Sequence, residues 1–326
     1  ADHLVGAVNS SEFDWVGDDY RFATGAADAD LALHAQFMFE AGGSTMGLFG
    51  LLLHANDGGN DRDYVPTEPV YLDHAVRAIA ALDAAGADLV IGLTHLDLWQ
   101  DIEIAALRVR YPQFMFIVGG HEHEPEFSEL RGDRAAVMKG ASNARRIWRI
   151  DVSFDANGVP AIDTQMIDVD ETIVPDAAYT KIENEWRGRL LERFPFLTAQ
   201  VGEAAVPLDA REVTIRNEES NWGNFIVDQM RGAFGEPEAD FAFINGGTVR
   251  IDDYIIGDIT FEDIGRTFGF SSYLRYMTMT GQQFRDVLEA GYRGSGPSKG
   301  HFPQVSGFRV CVDRSRPEGD RIVSLQ

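Results

Sequence analysis

The segment from Ala87 to His123 organises the chain. It opens with A-D-L-V-I-G-L-T-H, which ends at His95, and closes with F-M-F-I-V-G-G-H-E-H. Each half is a short apolar run typical of a buried parallel strand, and residues 101–111 between them predict a crossover helix. Because the carboxyl ends of parallel strands lie at one edge of a sheet, we expect His95, His121 and His123 to meet there.

These three histidines, His95, His121 and His123, predict a metal site. A single histidine is more often structural, but His-x-His directly after Gly119 and Gly120 is less common by chance, since glycine allows a sharp turn and a close approach. Neutral imidazole binds zinc, manganese, iron and nickel alike, so the identity of the metal stays open.

The composition excludes several classes of protein. A chain of 326 residues with 44% hydrophobic residues can bury the cores of two domains. The 52 acidic residues against 28 basic ones give a net charge of −24, which repels nucleic acid and anionic membranes, so we expect no duplex partner. No apolar run reaches the roughly 20 residues that span a bilayer. Cys311 is the single cysteine, so an internal disulfide is excluded. Nothing in the sequence indicates an oligomeric state.

The predicted elements of the first half form a doubly wound α/β pattern. Strands are expected at 4–9, at 33–40 and 45–53 as a hairpin-like pair, at 89–95, at 114–119, and at 136–141 and 147–154 to close the sheet, with helices at 72–85 and 101–111.

The sequence predicts a helix over 176–193 that is rich in charged residues, unlike the apolar runs before it. Pro175 stands at its first turn, and a helix that is polar over most of its circumference often bridges domains. We therefore expect domains at 1–174 and 198–326 with a linker helix in 175–197. The second domain is predicted to contain helices at 222–233, 261–267 and 281–290 and strands at 241–244 and 273–279.

Three arginines in the second domain, Arg211, Arg216 and Arg250, lie in or beside turns of an otherwise acidic chain. A guanidinium offers a planar fork that matches phosphate or carboxylate, so these residues suggest a pocket for an anion. The alternative is that they pair with acids nearby, such as Glu212. Phe270 follows a Phe-Gly turn, where an exposed ring could stack on a base, although core packing is the commoner fate of phenylalanine.

Seven blocks in order resemble the bimetallic 5′-nucleotidase family, which includes UDP-sugar hydrolase and 2′,3′-cyclic-nucleotide phosphodiesterase. In the first half these are the strand with His95 and Asp101, and I-V-G-G-H-E-H. The second half carries R-N-E-E-S-N-W-G-N, N-G-G-T-V-R, G-D-I-T-F-E-D-I-G-R-T-F-G-F-S-S, M-T-G-Q-Q-F-R-D-V-L-E and F-P-Q-V-S-G-F-R-V. The resemblance covers nearly the whole chain.

This resemblance implies a fold and a function. The fold is the C-terminal part of a metallophosphoesterase α/β sandwich, a linker helix and an α/β 5′-nucleotidase C-terminal domain. The function is hydrolysis of nucleoside 5′-monophosphates by a metal-bound hydroxide, with two divalent ions such as zinc or manganese. The implied metal ligands are His95, His121 and His123, and the implied substrate-binding residues are Arg211, Arg216, Asn245, Gly247, Arg250 and Phe270.

The chain departs from the family pattern in several places. The family's Asp-x-His block, its bridging aspartate and its Gly-Asn-His-Glu block, which holds the catalytic histidine, do not occur in this sequence, and the chain stops before a second base-stacking aromatic residue. We therefore expect a chain truncated at both ends and inactive alone, with its catalytic residues outside it. Asp97 replaces a usual glycine, and Ser271 and Ser272 replace Gly-Asn after Phe270.

Other functions stay open. The chain could be a nucleotide-binding module without hydrolase activity, or a phosphodiesterase acting on nucleotide sugars or cyclic nucleotides. By analogy with the family, a periplasmic, extracellular or cell-surface location is expected.

Overall fold

The structure is a computed structural model that describes residues 8–16, 20–22, 33–34, 36–53, 64–66, 71–236, 238–270, 272–294 and 300–326. The chain divides into an N-terminal unit, Ala1–Ile173, and a C-terminal unit, Val174–Gln326. Within the described ranges, no helix combines the length and the apolar character needed to cross a membrane.

Among the elements that lie wholly within the described residues, the N-terminal unit has strands, the two α-helices named below and 3₁₀ turns at Ala106–Val109 and Ser142–Ala144. In chain order its strands and α-helices are β1 Trp15–Val16, β2 Tyr20–Phe22, β3 Leu33–His34, β4 Gln36–Ala41, β5 Ser44–Leu52, β6 Tyr64–Pro66, α1 Tyr71–Ala84, β7 Leu89–His95, α2 Leu98–Ala105, β8 Phe114–Gly119, β9 Glu126–Ser128, β10 Ala136–Lys139, β11 Arg146–Phe154 and β12 Pro160–Asp168.

A six-stranded sheet forms the centre of this unit, in the order β4-β5-β7-β8-β10-β9. The four inner strands, β5, β7, β8 and β10, run parallel, whereas β4 and β9 pair antiparallel at the edges. The predicted pair of strands before the first helix is confirmed as the β4–β5 hairpin. The parallel register brings the carboxyl ends of β7, β8 and β10 to one edge of the sheet.

Both faces of the sheet are covered. Helices α1 and α2 pack on one face, where Ile79, Leu82, Ile104, Phe114 and Ile117 are fully buried. The β11–β12 hairpin covers the other face of the sheet, where it packs against buried Leu89 and Met115. The hairpin contributes the apolar side chains of Trp148, Ile150, Val152, Phe154 and Ile162. The unit is therefore a layered α/β structure.

Three predicted elements differ from the structure. Helix α2 begins at Leu98 rather than Asp101, because the side chain of Gln100 accepts a hydrogen bond from the backbone of Asp97 and caps the helix there. Its C-terminal end is followed by the 3₁₀ turn at Ala106–Val109. Strand β11 pairs only with β12 and does not extend the central sheet. Its alternating R-I-W-R-I-D-V-S-F is the pattern of a half-buried antiparallel strand. Of the strand predicted at 4–9, only Val8 and Asn9 lie in the described residues, and they are helical.

The C-terminal unit also has two 3₁₀ turns, at Pro195–Thr198 and Gly246–Thr248. Its strands and α-helices are α3 Ala177–Arg193, β13 Gln200–Asp209, α4 Glu212–Ile215, α5 Asn221–Gly232, β14 Ala242–Asn245, β15 Tyr254–Thr260, α6 Phe261–Thr267, α7 Gly281–Gly291, β16 Pro303–Ser306, β17 Val310–Val312 and β18 Ile322–Leu325.

Three antiparallel strand pairs, β13–β15, β14–β16 and β17–β18, frame this unit. Helix α5 begins at Asn221, where the side chain of Ser220 accepts a hydrogen bond from the backbone of Gly223. Fully buried Trp222 in its first turn is the largest side chain of the core around it. The helices predicted at 222–233, 261–267 and 281–290 are confirmed within a residue or so.

The strand predicted at 273–279 is wrong. Residues 272–280 have no regular secondary structure, and Tyr273, Tyr276 and Met277 are exposed. The apolar and aromatic run at 273–279 has no partner strand beside it among the described residues, so its backbone forms no ladder.

We expect Leu82→Ala to lower the free energy of unfolding by about 2–5 kcal/mol, because Leu82 is fully buried between α1 and the sheet and the smaller side chain leaves a cavity. The matched control is Leu93→Ala, at a half-exposed leucine of β7, with an expected loss of about 0.5 kcal/mol or less. Urea unfolding followed by circular dichroism measures both. Equal losses would contradict the assigned core.

Candidate functional site

The sheet edge of the N-terminal unit brings His95 and His121 together. His95 is the last residue of β7, and His121 lies in the turn after β8. Their rings pack edge to face with centroids 5.3 Å apart. Burial, reinforced by His121 and then Lys139, lowers the pKa of His95, so its imidazole is neutral at pH 7, the form that binds a metal.

The backbone of the G-G-H-E-H turn is unusual. His121 and His123 both have positive φ values, 91° and 67°, in the left-handed region that residues other than glycine rarely adopt. Such conformations cost roughly 1–3 kcal/mol each and cluster at functional sites. The turn is fixed at its far side, where the backbone N–H of Ser142 donates to the carbonyl of His123 over 3.0 Å.

A buried lysine lies beneath this turn. The ammonium of Lys139, at the end of β10, is fully buried and lies 2.9 Å from Asp101 and 2.8 Å from Glu122, the middle residue of His-Glu-His. It also donates to the carbonyl of Leu96 over 2.6 Å. Burial raises the pKa of Asp101 to about 6, and the ammonium of Lys139 acts in the opposite direction.

Glu122 also connects the buried Lys139 to the start of helix α2. Its second carboxylate oxygen accepts from the backbone N–H of Leu98 over 2.5 Å, at the start of α2. Asp97, which stands where the family usually has glycine, lies 3.5 Å from the Nε2 atom of His121. Sequence reasoning singled out neither Lys139 nor Glu122. The sequence signal that could have indicated a buried lysine is its position at the end of the otherwise apolar strand β10.

The histidines as placed do not complete a metal centre. No three His, Cys, Asp or Glu side chains in the described part of the chain form a group that could hold an ion. Two packed imidazoles and the carboxylate of Asp97 provide donor atoms of suitable chemistry, but not the arrangement. The ligand set of His95, His121 and His123 stays a prediction.

The C-terminal unit brings Arg216 and Arg250 together on one acid. Arg216 directly follows helix α4, and its Nη2 atom donates to Glu212 over 2.7 Å. The Nη1 atom of Arg250 lies 3.6 Å from the same carboxylate oxygen. The guanidinium of Arg250 also lies over the ring of Phe270, 5.4 Å from its centroid, and that ring is 62% exposed.

Arg211 is held separately. It forms a bidentate ion pair with Asp209 at 2.7 and 3.0 Å, and its guanidinium lies 4.3 Å from the ring centroid of Tyr254. Pairing with a local acid is therefore what the structure shows for this arginine.

The N-G-G turn packs tightly against its neighbours. The amide of Asn245 donates to the carbonyl of Gly300 over 3.0 Å and accepts from the hydroxyl of Thr248 over 2.8 Å. A Cβ on Gly246 would collide with the carbonyl of Ile215, and one on Gly247 would collide with the backbone of Gly300. Both glycines therefore serve close approach of backbone to backbone.

Gln304 fixes the loop that carries Arg216. This side chain from β16 is 1% exposed, and its Nε2 atom donates to the carbonyls of Ile215 at 2.9 Å and Glu218 at 2.7 Å. Its Oε1 atom accepts from the backbone of Ser220 at 3.1 Å. A Cβ on Gly223 would overlap with Gln304, so the glycine of N-W-G-N admits the glutamine.

Comparison with known proteins agrees with the motifs. Residues 200–326 match the family model described as the 5′-nucleotidase C-terminal domain. The predicted resemblance to 5′-nucleotidases is confirmed. The trifunctional nucleotide phosphoesterase protein YfkN of Bacillus subtilis is 26% identical over 317 residues, which cover 93% of this chain and 21% of that protein. The 5′-nucleotidase of Bos taurus is 26% identical over 261 residues, 77% of this chain and 43% of that protein. The chain thus spans less than half the length of these relatives.

Solved structures confirm the fold class. The 5′-nucleotidase precursor of Thermus thermophilus superimposes with a TM-score of 0.79 at 23% identity, covering 99% of this chain and 66% of that protein. Sulfate thiohydrolase SoxB of the same genus and species gives 0.72 at 17% identity, covering 100% and 58%. Because proteins with different names share this architecture, the fold alone does not define the substrate.

We expect Lys139→Met to lower the free energy of unfolding by about 3–5 kcal/mol, because it leaves the carboxylates of Asp101 and Glu122 without their buried counter-charge. Lys181→Met, at an exposed lysine of α3, is the matched control and should change stability by about 0.5 kcal/mol or less. Urea unfolding at pH 7 measures both.

A triple variant, Lys139→Met with Asp101→Asn and Glu122→Gln, should recover part of this loss, since no buried charge then lacks a partner. If Lys139→Met is as stable as Lys181→Met, the buried network does not stabilise the turn.

Proposed function

We propose that the protein functions as a phosphoester hydrolase of the 5′-nucleotidase type, which releases phosphate from nucleoside 5′-monophosphates, and that these 326 residues alone bind the nucleotide without hydrolysing it. The observation that carries the proposal is the cluster of Arg216, Glu212 and Arg250 beside exposed Phe270. This cluster lies in the part of the chain that matches the family model of the 5′-nucleotidase C-terminal domain.

The chemistry of this cluster suits a nucleotide. The guanidinium of Arg250 is part-exposed and offers donors for a phosphate, while the exposed ring of Phe270 offers a face on which a base can stack. Arg211, Arg216, Asn245 and Gly247 belong to the proposed binding set by resemblance. Of these, Asn245 and Gly247 act in the structure by shaping the turn around the cluster.

Metal dependence is part of the proposal and rests on the motif resemblance. His95, His121 and His123 would be ligands, with two divalent ions, zinc, manganese or similar, as cofactors. Ions in such sites neutralise phosphate charge and activate water. The chain's own contribution is a neutral His95, supported by its lowered pKa, and a histidine turn anchored through Glu122.

The same resemblance supports a division of labour along the chain. We propose a metallophosphoesterase domain at 1–174, a linker helix in 175–197 and a substrate-recognition domain at 198–326. A periplasmic, extracellular or cell-surface location is also proposed. Its support is a relative named snake venom 5′-nucleotidase, from Naja atra, 23% identical over 279 residues.

Two alternatives have specific support. A nucleotide-binding module without hydrolase activity is favoured by the lack of a three-ligand metal group among the described residues. A phosphodiesterase acting on nucleotide sugars or cyclic nucleotides is supported by the relative named trifunctional nucleotide phosphoesterase. We propose that the 326-residue chain binds nucleotide but does not release phosphate from it, since the catalytic histidine block of the family is absent from its sequence.

The wild-type chain is expected to bind AMP, and Arg250→Ala is expected to weaken that binding by about ten- to a hundredfold, because a hydrogen bond to a charged group contributes roughly 1.5–3 kcal/mol. Isothermal titration calorimetry measures both affinities. Arg187→Ala, which removes an exposed ion pair with Glu262, is the control and should leave AMP binding unchanged.

Phosphate release is measured in parallel, with AMP and with Mn²⁺ or Zn²⁺. Absence of AMP binding by the wild-type chain would contradict the nucleotide proposal. Rapid phosphate release by the same chain would contradict its proposed inactivity and would establish hydrolysis directly. Nucleotide sugars and cyclic nucleotides in the same assay separate the phosphodiesterase alternative.

A further inference from the structure

The carboxylate of Glu212 is buried between two arginines. Glu212 is 3% exposed and Arg216 is 5% exposed, so neither charge is compensated by bulk water. The Nε atom of Arg216 has no hydrogen-bond partner among the described residues, and its Nη2 atom donates to Glu212 over 2.7 Å. The charge of Asp252 also acts on this guanidinium.

Glu212 is itself held in place. Its backbone N–H donates to the carboxylate of Asp252 over 2.8 Å, across a sequence separation of 40 residues. Asp252 is buried and has a positive φ of 49°, in the loop just after Arg250. The acid that pairs with the two arginines is therefore tied to the segment that carries one of them.

The two arginines are not equivalent. Arg216 is buried and bonded at 2.7 Å, whereas the side chain of Arg250 is 29% exposed, lies 3.6 Å from the acid and contacts the ring of Phe270. A ligand from solvent therefore reaches Arg250 more readily. The 3.6 Å separation is too long for a hydrogen bond, so Glu212 attracts the guanidinium of Arg250 by charge and leaves its donors available to a ligand.

We propose that Glu212 is a positioning residue for ligand binding, which holds the guanidinium groups of Arg216 and Arg250 as one preorganised receptor for the phosphate of a nucleotide. This inference rests on the proposed function of the cluster. Preorganisation reduces the side-chain entropy that a flexible arginine loses on binding.

A purely electrostatic role of Glu212 makes the opposite prediction. A carboxylate beside two guanidinium groups lowers the positive potential that attracts phosphate, so its removal should then strengthen AMP binding. If Glu212 positions the arginines, its removal weakens AMP binding although the site becomes more positive. The sign of the change separates the two roles.

The test measures the affinities of the full chain for AMP and for adenosine, which lacks the phosphate. We expect Glu212→Gln to bind AMP about tenfold more weakly, with adenosine binding unchanged. Glu212→Asp keeps the charge but shortens the side chain, and should also weaken AMP binding. Glu289→Gln is the matched control, because Glu289 is a buried acid that accepts the backbone N–H groups of Arg321 and Ile322 elsewhere in the unit.

The outcomes are distinguishable. Unchanged or tighter AMP binding by both Glu212 variants, with Arg250→Ala still impaired, overturns the positioning role alone. A wild-type chain that does not prefer AMP to adenosine overturns the proposed function instead. Side-chain NMR of the wild-type arginines requires no variant. Restrained Nε–Hε signals for Arg216 and Arg250 before ligand addition are expected, and a freely rotating Arg250 would overturn the proposal.

Discussion

The N-terminal unit depends on one buried ammonium group. Lys139 is the last residue of β10, an inner parallel strand. Its ammonium contacts Asp101 on α2, Glu122 in the histidine turn and the carbonyl of Leu96 after β7. Such a cation is tolerated in a core only when its partners are equally fixed, since the loss of hydration is large. The histidine turn is therefore part of the same network that joins the sheet to its helix.

The C-terminal unit also buries a charged side chain, but there the buried group is an anion beside cations. There a buried carboxylate, Glu212, lies between two cations, and the surrounding backbone is packed so closely that two glycines of the N-G-G turn admit no side chain. In both units, the candidate ligand-binding side chains lie beside a buried charge, which is Lys139 near the histidine turn and Glu212 near the arginines. Fixed dipoles and charges of this kind cost no rearrangement when a charged ligand arrives.

The sequence predicted the parallel strands and most helices because their apolar runs and caps are local signals. It also predicted that His95 and His121 meet, since the topology of parallel strands carries their ends to one edge. It did not predict Lys139 as an anchor, because a lysine at the end of a strand is ordinarily solvated. The strand expected at 273–279 failed for a related reason, since pairing depends on distant segments that a local run of apolar residues does not reveal.

The arginines illustrate the same limit. Their composition and spacing suggested an anion pocket and equally suggested pairing with acids; the structure shows the pairing with acids, and the anion pocket stays a prediction. Arg211 pairs with Asp209 alone, whereas Arg216 and Arg250 share Glu212. Only the fold decides which acid lies near which base, because Glu212 and Arg250 are far apart in sequence.

The three hydrogen bonds of Gln304 have a consequence for the order of folding. They join β16 to the loop around Arg216 across 84 to 89 residues, so closing them requires that nearly the whole unit has already collapsed. Contacts of such separation form late, because loop-closure entropy must be offset first. During synthesis, the loop around Arg216 leaves the ribosome well before β16, so its three hydrogen bonds to Gln304 form only after that strand is in place.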